Sequence, residues 1–175
     1  MADKKITDLT ELTEAASDDY LEIVDTSANA SKKITRENLI GFAGTWQSYT
    51  VSWTAATTNP SIGNGTLAGR YTQIGKSVIY SIALVMGSTT TYGSGNWRFS
   101  LPKSVASSSV RYIGQWRAYD ASTDASYSGV TSLSSGDSSI IIFSRDQGSA
   151  TLSDAVPFTW ASSDELFLTI VYETA

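Results

Sequence analysis

The longest alternation of apolar and polar positions in the chain lies at residues 77–86. Val78, Tyr80, Ile82, Leu84 and Met86 fall on one side of an extended backbone, and Ser77, Ile79, Ser81, Ala83 and Val85 on the other, because successive side chains of a strand point to opposite faces. A Gly/Asn-rich turn at 59–65 and a shorter run at 68–74 come before it, with Gly75-Lys76 between the two runs. This spacing predicts a β-hairpin with one apolar face. Comparable runs recur at 96–100, 110–120, 126–133, 139–146 and 164–173, joined by Ser/Gly/Thr-rich turns too short to separate domains. Residues 46–53, WQSYTVSW, read as one further strand with Gln47, Tyr49, Val51 and Trp53 inward. About eight strands with no convincing helix between them predict an all-β fold, a jelly-roll-like β-sandwich over 46–175.

Two of these runs are apolar on both faces: Ile140, Ile141, Ile142 and Phe143 are continuous, and so is 166–172 apart from Thr169. A strand buried on one side alternates, so the second faces here call for cover. Association of identical copies, as in a symmetric trimer, is the simplest source of that cover.

Residues 1–45 have a different character. Ile6, Leu9 and Leu12 recur every three positions, YLEIVD at 20–25 reads as a strand, and Lys32, Lys33 and Ile34 pair back on it. Thr35 is placed to cap a short helix over 36–42. Such a ribbon is marginal by itself. Its repeated apolar set, Ile6, Leu9, Leu12, Leu21 and Ile23, marks it as an assembly arm that docks on a partner or on sister copies.

Charge sharpens the division. The net charge of −5 is uneven: residues 1–45 hold nine acids and five bases, residues 46–175 eight acids and seven bases. No basic stripe is present, so nucleic acid is not the expected partner. MADKKITD lacks the apolar core of a secretory signal and no long apolar run follows, so synthesis in the cytoplasm without membrane insertion is expected.

The chain has neither cysteine nor histidine. Disulfides, thiolate or imidazole metal sites and Ser/His/Asp or Cys/His catalysis are thereby excluded. Gly63-Asn64-Gly65-Thr66-Leu67-Ala68 spells a dinucleotide-type glycine pattern, but a strand follows it where a phosphate site needs a helix, so its glycines are read as turn residues. Asp120 and Asp124, with Asp137 or Asp146, could gather around calcium, although their spacing matches no EF-hand loop and Asp is routine in β-turns. Asp164-Glu165, Asp18-Asp19 and Asp146 could serve a glycoside hydrolase, but nothing places two of them across a cleft. No catalytic residue, metal or cofactor is therefore assigned.

The aromatic residues are the better lead. Tyr92, Trp97, Tyr112, Trp116, Tyr119 and Tyr127 lie mid-chain beside Arg98, Arg111, Arg117 and Asp120. In VRYIGQWRAYD, Tyr112, Gly114, Trp116 and Ala118 share one face and Arg111, Ile113, Gln115, Arg117 and Tyr119 the other. Exposed rings beside hydrogen-bonding side chains suit sugar or protein contacts, and core packing is the competing role, above all for Trp116 and Tyr112. The candidate contact set is Tyr92, Trp97, Arg98, Arg117, Tyr119 and Asp120, with Tyr92 and Tyr119 the expected exposed pair.

Residues 6–41, with their ITDL opening, DDYLEIVD strand and SKKIT before a short helix, resemble the N-terminal module of tailed-bacteriophage tail-fibre and appendage proteins. Residues 59–102 together with PFTWASSDELFLTIVYE (157–173) are similar to β-domains of phage minor tail and fibre proteins. The resemblance implies a homotrimeric virion appendage without enzyme activity. In it, residues 1–45 attach to another virion protein of the tail or capsid, and 46–175 face outward, where a host-surface glycan is the expected contact. The shortness of the chain leaves a second place on the particle open, as a capsid decoration or head-fibre protein. A carbohydrate-active enzyme is the third reading.

Overall fold

The computed structural model describes residues 19–25, 27–35, 44–144 and 150–175, with side chains except at 23–25 and 141–144. The chain divides into two compact units, 1–44 and 45–175.

In the first unit, β1 (Tyr20–Asp25) and β2 (Ala30–Thr35) form an antiparallel ribbon in register from Tyr20↔Thr35 to Asp25↔Ala30. The reversal passes through Asn29 at φ 47°, a left-handed conformation that asparagine tolerates. Tyr20 and Leu21 are exposed, and the Lys33 ammonium sits 4.1 Å from the centre of the Tyr20 ring. Ile6, Leu9, Leu12, the expected helix at 36–42 and the side chain of Ile23 lie outside what is described.

The second unit is all-β. Its strands are β3 (Gln47–Tyr49), β4 (Trp53–Ala55), β5 (Thr66–Ile74), β6 (Ser77–Val85), β7 (Trp97–Ser100), β8 (Tyr112–Asp120), β9 (Ala125–Leu133), β10 (Ser139–Ser144) and β11 (Glu165–Glu173). All pair antiparallel in one sheet of order β3-β5-β6-β11-β8-β9-β10-β7-β4. Residues 46–53 thus form two short strands, where the alternation predicts one. Only residues 50–52 separate β3 from β4, yet the two stand at opposite ends of the strand order. The sheet must therefore bend back until its ends meet. Ser100 clasps the closure: its amide donates to the carbonyl of Ser52, and its Oγ accepts from the amide of Ser52 and the hydroxyl of Tyr49.

Folding over brings strands distant in the order face to face, as the layers of a sandwich. Tyr80 of β6 donates across the core to the carbonyl of Ser100 at 3.0 Å, and Tyr172 of β11 donates to the carbonyl of Lys103 at 2.8 Å. Burial pushes the Tyr80 phenol well above its ordinary value and that of Tyr172 up to about 12, so both act as neutral donors. The alternation of 77–86 sorts as expected, with Val78, Tyr80, Ile82, Leu84 and Met86 in the core. Leu166, Leu168, Ile170 and Tyr172 join them from β11, Trp116 and Ala118 from β8, Trp97 and Phe99 from β7, and Trp53 from β4.

Candidate binding face

The outward side of the sheet can be written as a grid, because each antiparallel register fixes which residues lie beside one another. One row runs Ala68–Ala83–Phe167–Arg117–Ser128 across β5, β6, β11, β8 and β9. The next runs Arg70–Ser81–Thr169–Gln115–Val130, and a third, on the other side of the first, runs Thr66–Val85–Glu165–Tyr119–Ser126. Neighbouring strands are about 4.8 Å apart and alternate residues about 7 Å. Most members are small, so Phe167 stands proud of them with over a third of its surface exposed (37%). Beyond it Val171 (52%), Ile113 (60%) and Val130 (45%) also face outward.

Two shallow grooves flank Phe167 and share Phe167 and Thr169 as their common wall. One, of about 360 Å³, is bounded by Gln115, Arg117 and Ser128, and the other, of about 230 Å³, by Ala68, Arg70, Ser81 and Ala83. Each therefore carries a single arginine. Arg117 is steadied by donation to Ser126 Oγ at 2.8 Å, and its guanidinium lies 5.7 Å from the centre of the Tyr119 ring. Tyr119 in turn donates to Asp124 Oδ1 at 2.8 Å, a hydrogen bond that raises its phenol above the ordinary range. The Arg70 guanidinium lies 5.5 Å from the centre of the Trp46 ring, which is itself 44% exposed. The structure thus brings together Arg117 and Tyr119 of the expected contact set, and adds Phe167, Arg70 and Trp46.

The other expected contacts go elsewhere. Trp97, expected at the surface, is fully buried: a four-residue strand with Trp97 and Phe99 on the core side leaves no route for its ring to solvent. Tyr92 is half-buried against the core, and its carbonyl accepts from Trp97 Nε1 at 2.9 Å. Arg98 is exposed on β7, three strands from β8 in the sheet order. Asp120 is buried and turned into the β8–β9 turn, where Oδ1 accepts from the amide and hydroxyl of Ser122 and the amide of Thr123. Asp137 has a similar turn role, its Oδ2 accepting from the Ser134 amide, and Asp146 lies outside the described residues. The glycine pattern at 63–68 runs into β5, and Gly63 has the positive φ of a turn residue.

Those donors, Ser122 foremost, hold the Asp120 carboxyl below its usual range. A lowered folded value stabilises above the unfolded pKa, and the benefit disappears as the pH falls through the folded value. Asp120→Asn should accordingly be less stable than the parent at pH 7, with the two unfolding midpoints converging below about pH 4. A gap that does not change with pH in denaturant melts would refute this role.

No family model matches the chain, and no solved structure does. Among curated proteins it is similar to the Mu-like prophage FluMu defective tail fiber protein of Haemophilus influenzae, with 29% identity over 126 residues. The matched part is 71% of this chain but 20% of that protein, so the chain spans about a fifth of its relative's length. The likeness is to a phage tail fibre. It supports a phage tail structural role.

Proposed function

We propose that the chain is a non-enzymatic virion protein of tail-fibre type. The β-sandwich of 45–175 is presented to the host surface, and residues 1–44 attach it to another protein of the particle through the set around Ile6, Leu9, Leu12, Leu21 and Ile23. The observation that carries this reading is the likeness to the tail fiber protein. Three copies associate, which would give the ribbon of β1 and β2, marginal alone, the partners it needs.

Antibody labelling of intact particles tests the place of the protein. Label at the tail is the expected result, and label confined to the capsid would replace this reading with a decoration role. The attachment role has its own test. A chain lacking residues 1–44 should stay soluble and melt cooperatively, since the core cluster of the described residues lies in the second unit, yet be absent from particles assembled in its presence. Incorporation of the shortened chain at the level of the parent would show that attachment lies elsewhere.

A further inference from the structure

We propose that the outward face around Phe167 is a binding site for an anionic oligosaccharide, laid across the two grooves so that Arg70 and Arg117 each meet a carboxylate or phosphate. The proposal rests on the host-facing reading of the sandwich and names the ligand class of its site.

Three observations carry it. First, the two arginines stand on either side of one exposed ring, three strand spacings and one row apart, which places their backbones roughly 15 Å from each other. That separation suits an extended chain of several sugar units better than a single small anion. Second, the residues between them are short: Ser81, Ala83 and Thr169 form a low floor from which Phe167 rises. An apolar ring above small hydroxyl-bearing residues stacks on the C–H face of a sugar, while the hydroxyls meet the sugar's own. Trp46, beside Arg70, supplies a second exposed ring at one end.

The third observation is charge. The chain carries −5 overall, so attraction of anions to the molecule as a whole is not expected, and a positive pair on this face is local. Among the described residues each guanidinium is held by a neutral partner, Ser126 and Tyr119 for Arg117 and Trp46 for Arg70, without a carboxylate. Each keeps donors for a ligand oxyanion, which guanidinium binds with paired, charge-assisted hydrogen bonds. Of the acids, Glu173 sits at the far end of β11, while Glu165 is the diagonal neighbour of Arg117 and Asp124 holds the Tyr119 hydroxyl, so carboxylates stand near Arg117 without bonding to it among the described residues.

The test uses the purified 175-residue chain and immobilised oligogalacturonate, oligosialic acid and a phosphorylated lipopolysaccharide core oligosaccharide. Each is paired with its carboxyl-reduced or dephosphorylated counterpart. The expected result is retention on at least one anionic member, weaker in high salt, and none on its neutral counterpart. The uronate and sialate arms against the phosphate arm tell which anion is read. Arg70→Ala and Arg117→Ala should each weaken binding about ten-fold, as loss of one charge-assisted contact does. Phe167→Ala should weaken it with the unfolding midpoint unchanged. Equal retention on the neutral counterparts, retention unaltered in the double arginine variant, or no retention on any member would each overturn the proposal. So would a change in molar mass of the double variant by light scattering, which would make the face an interface between copies. These measurements are on isolated protein, whereas the host-facing reading fails by antibody label on the particle, so the two fail separately.

Discussion

Replacing Trp97 with alanine should lower the stability of the sandwich by about 4 kcal/mol, as removal of a large buried ring does. The side chain is wholly buried and lies between two other indoles, Trp53 at 4.7 Å between ring centres and Trp160 at 5.0 Å. Its Nε1 also donates to the Tyr92 carbonyl, so the truncation removes packing and leaves that acceptor without its donor. Domains of this size are stable by about 5–15 kcal/mol, so the loss takes a large share without abolishing the fold. In urea melts the midpoint should fall with the slope unchanged. Trp97→Phe should recover part of the loss, since a smaller ring keeps some of the packing but not the N–H. In the fraction still folded, binding to any surface ligand should match that of the parent. Binding lost with the midpoint unmoved would return Trp97 to the contact surface.

Why that ring was expected outside and is found inside shows where sequence reasoning works. The face of one long strand is legible: period-two alternation in 77–86 assigns Tyr80 to the core, and burial follows suit, whereas 166–172 is apolar on both sides, so spacing alone does not say that Leu168 turns inward and Phe167 and Val171 outward. The same rule applied to WRFS puts Trp97 with Phe99 and opposes both to Arg98, a signal outweighed by the neighbouring arginines. The break of 46–53 into two strands is not legible. Its alternation is unbroken, and the bend that sends β3 and β4 to opposite ends of the sheet depends on Ser100, about fifty residues later.

The binding face lies beyond local pattern for the same reason. Arg70, Arg117 and Phe167 come from β5, β8 and β11, and meet only because β11 inserts between β6 and β8. Strand order and register are fixed by which faces fit together across the core, information that spacing along the chain does not contain. What spacing does show is that 166–172 has a second apolar face. That was a pointer to Phe167 stronger than the mid-chain cluster of aromatics.

Asp164 and Glu165 are adjacent carboxylates with opposite fates, and the contrast between them is the second large effect. Asp164 is completely buried: Oδ1 accepts from the Ala121 amide at 2.9 Å and Oδ2 from the Ala161 amide at 2.6 Å. Its carbonyl accepts from the Met86 amide, so one residue ties together the turn after β8, the end of β6 and the entry to β11. Asp164→Ala strands two amides in the interior at about 1–3 kcal/mol each, for an expected loss of about 3 kcal/mol. Asp164→Asn, which keeps one acceptor oxygen but turns an NH₂ toward the other amide, should fall between. Glu165 lies on the outward face across from Tyr119 and Val85, where replacement by alanine should shift stability by less than about 0.5 kcal/mol. Amide exchange should quicken at Ala121 and Ala161 in Asp164→Ala and stay unchanged in Glu165→Ala. The two groups stand on opposite sides of the chain, so they do not flank a common bond, as a glycosidase pair must. Comparable losses from the two alanine variants would contradict the burial of Asp164, and with it the inward and outward sorting on which the grid of the binding face depends.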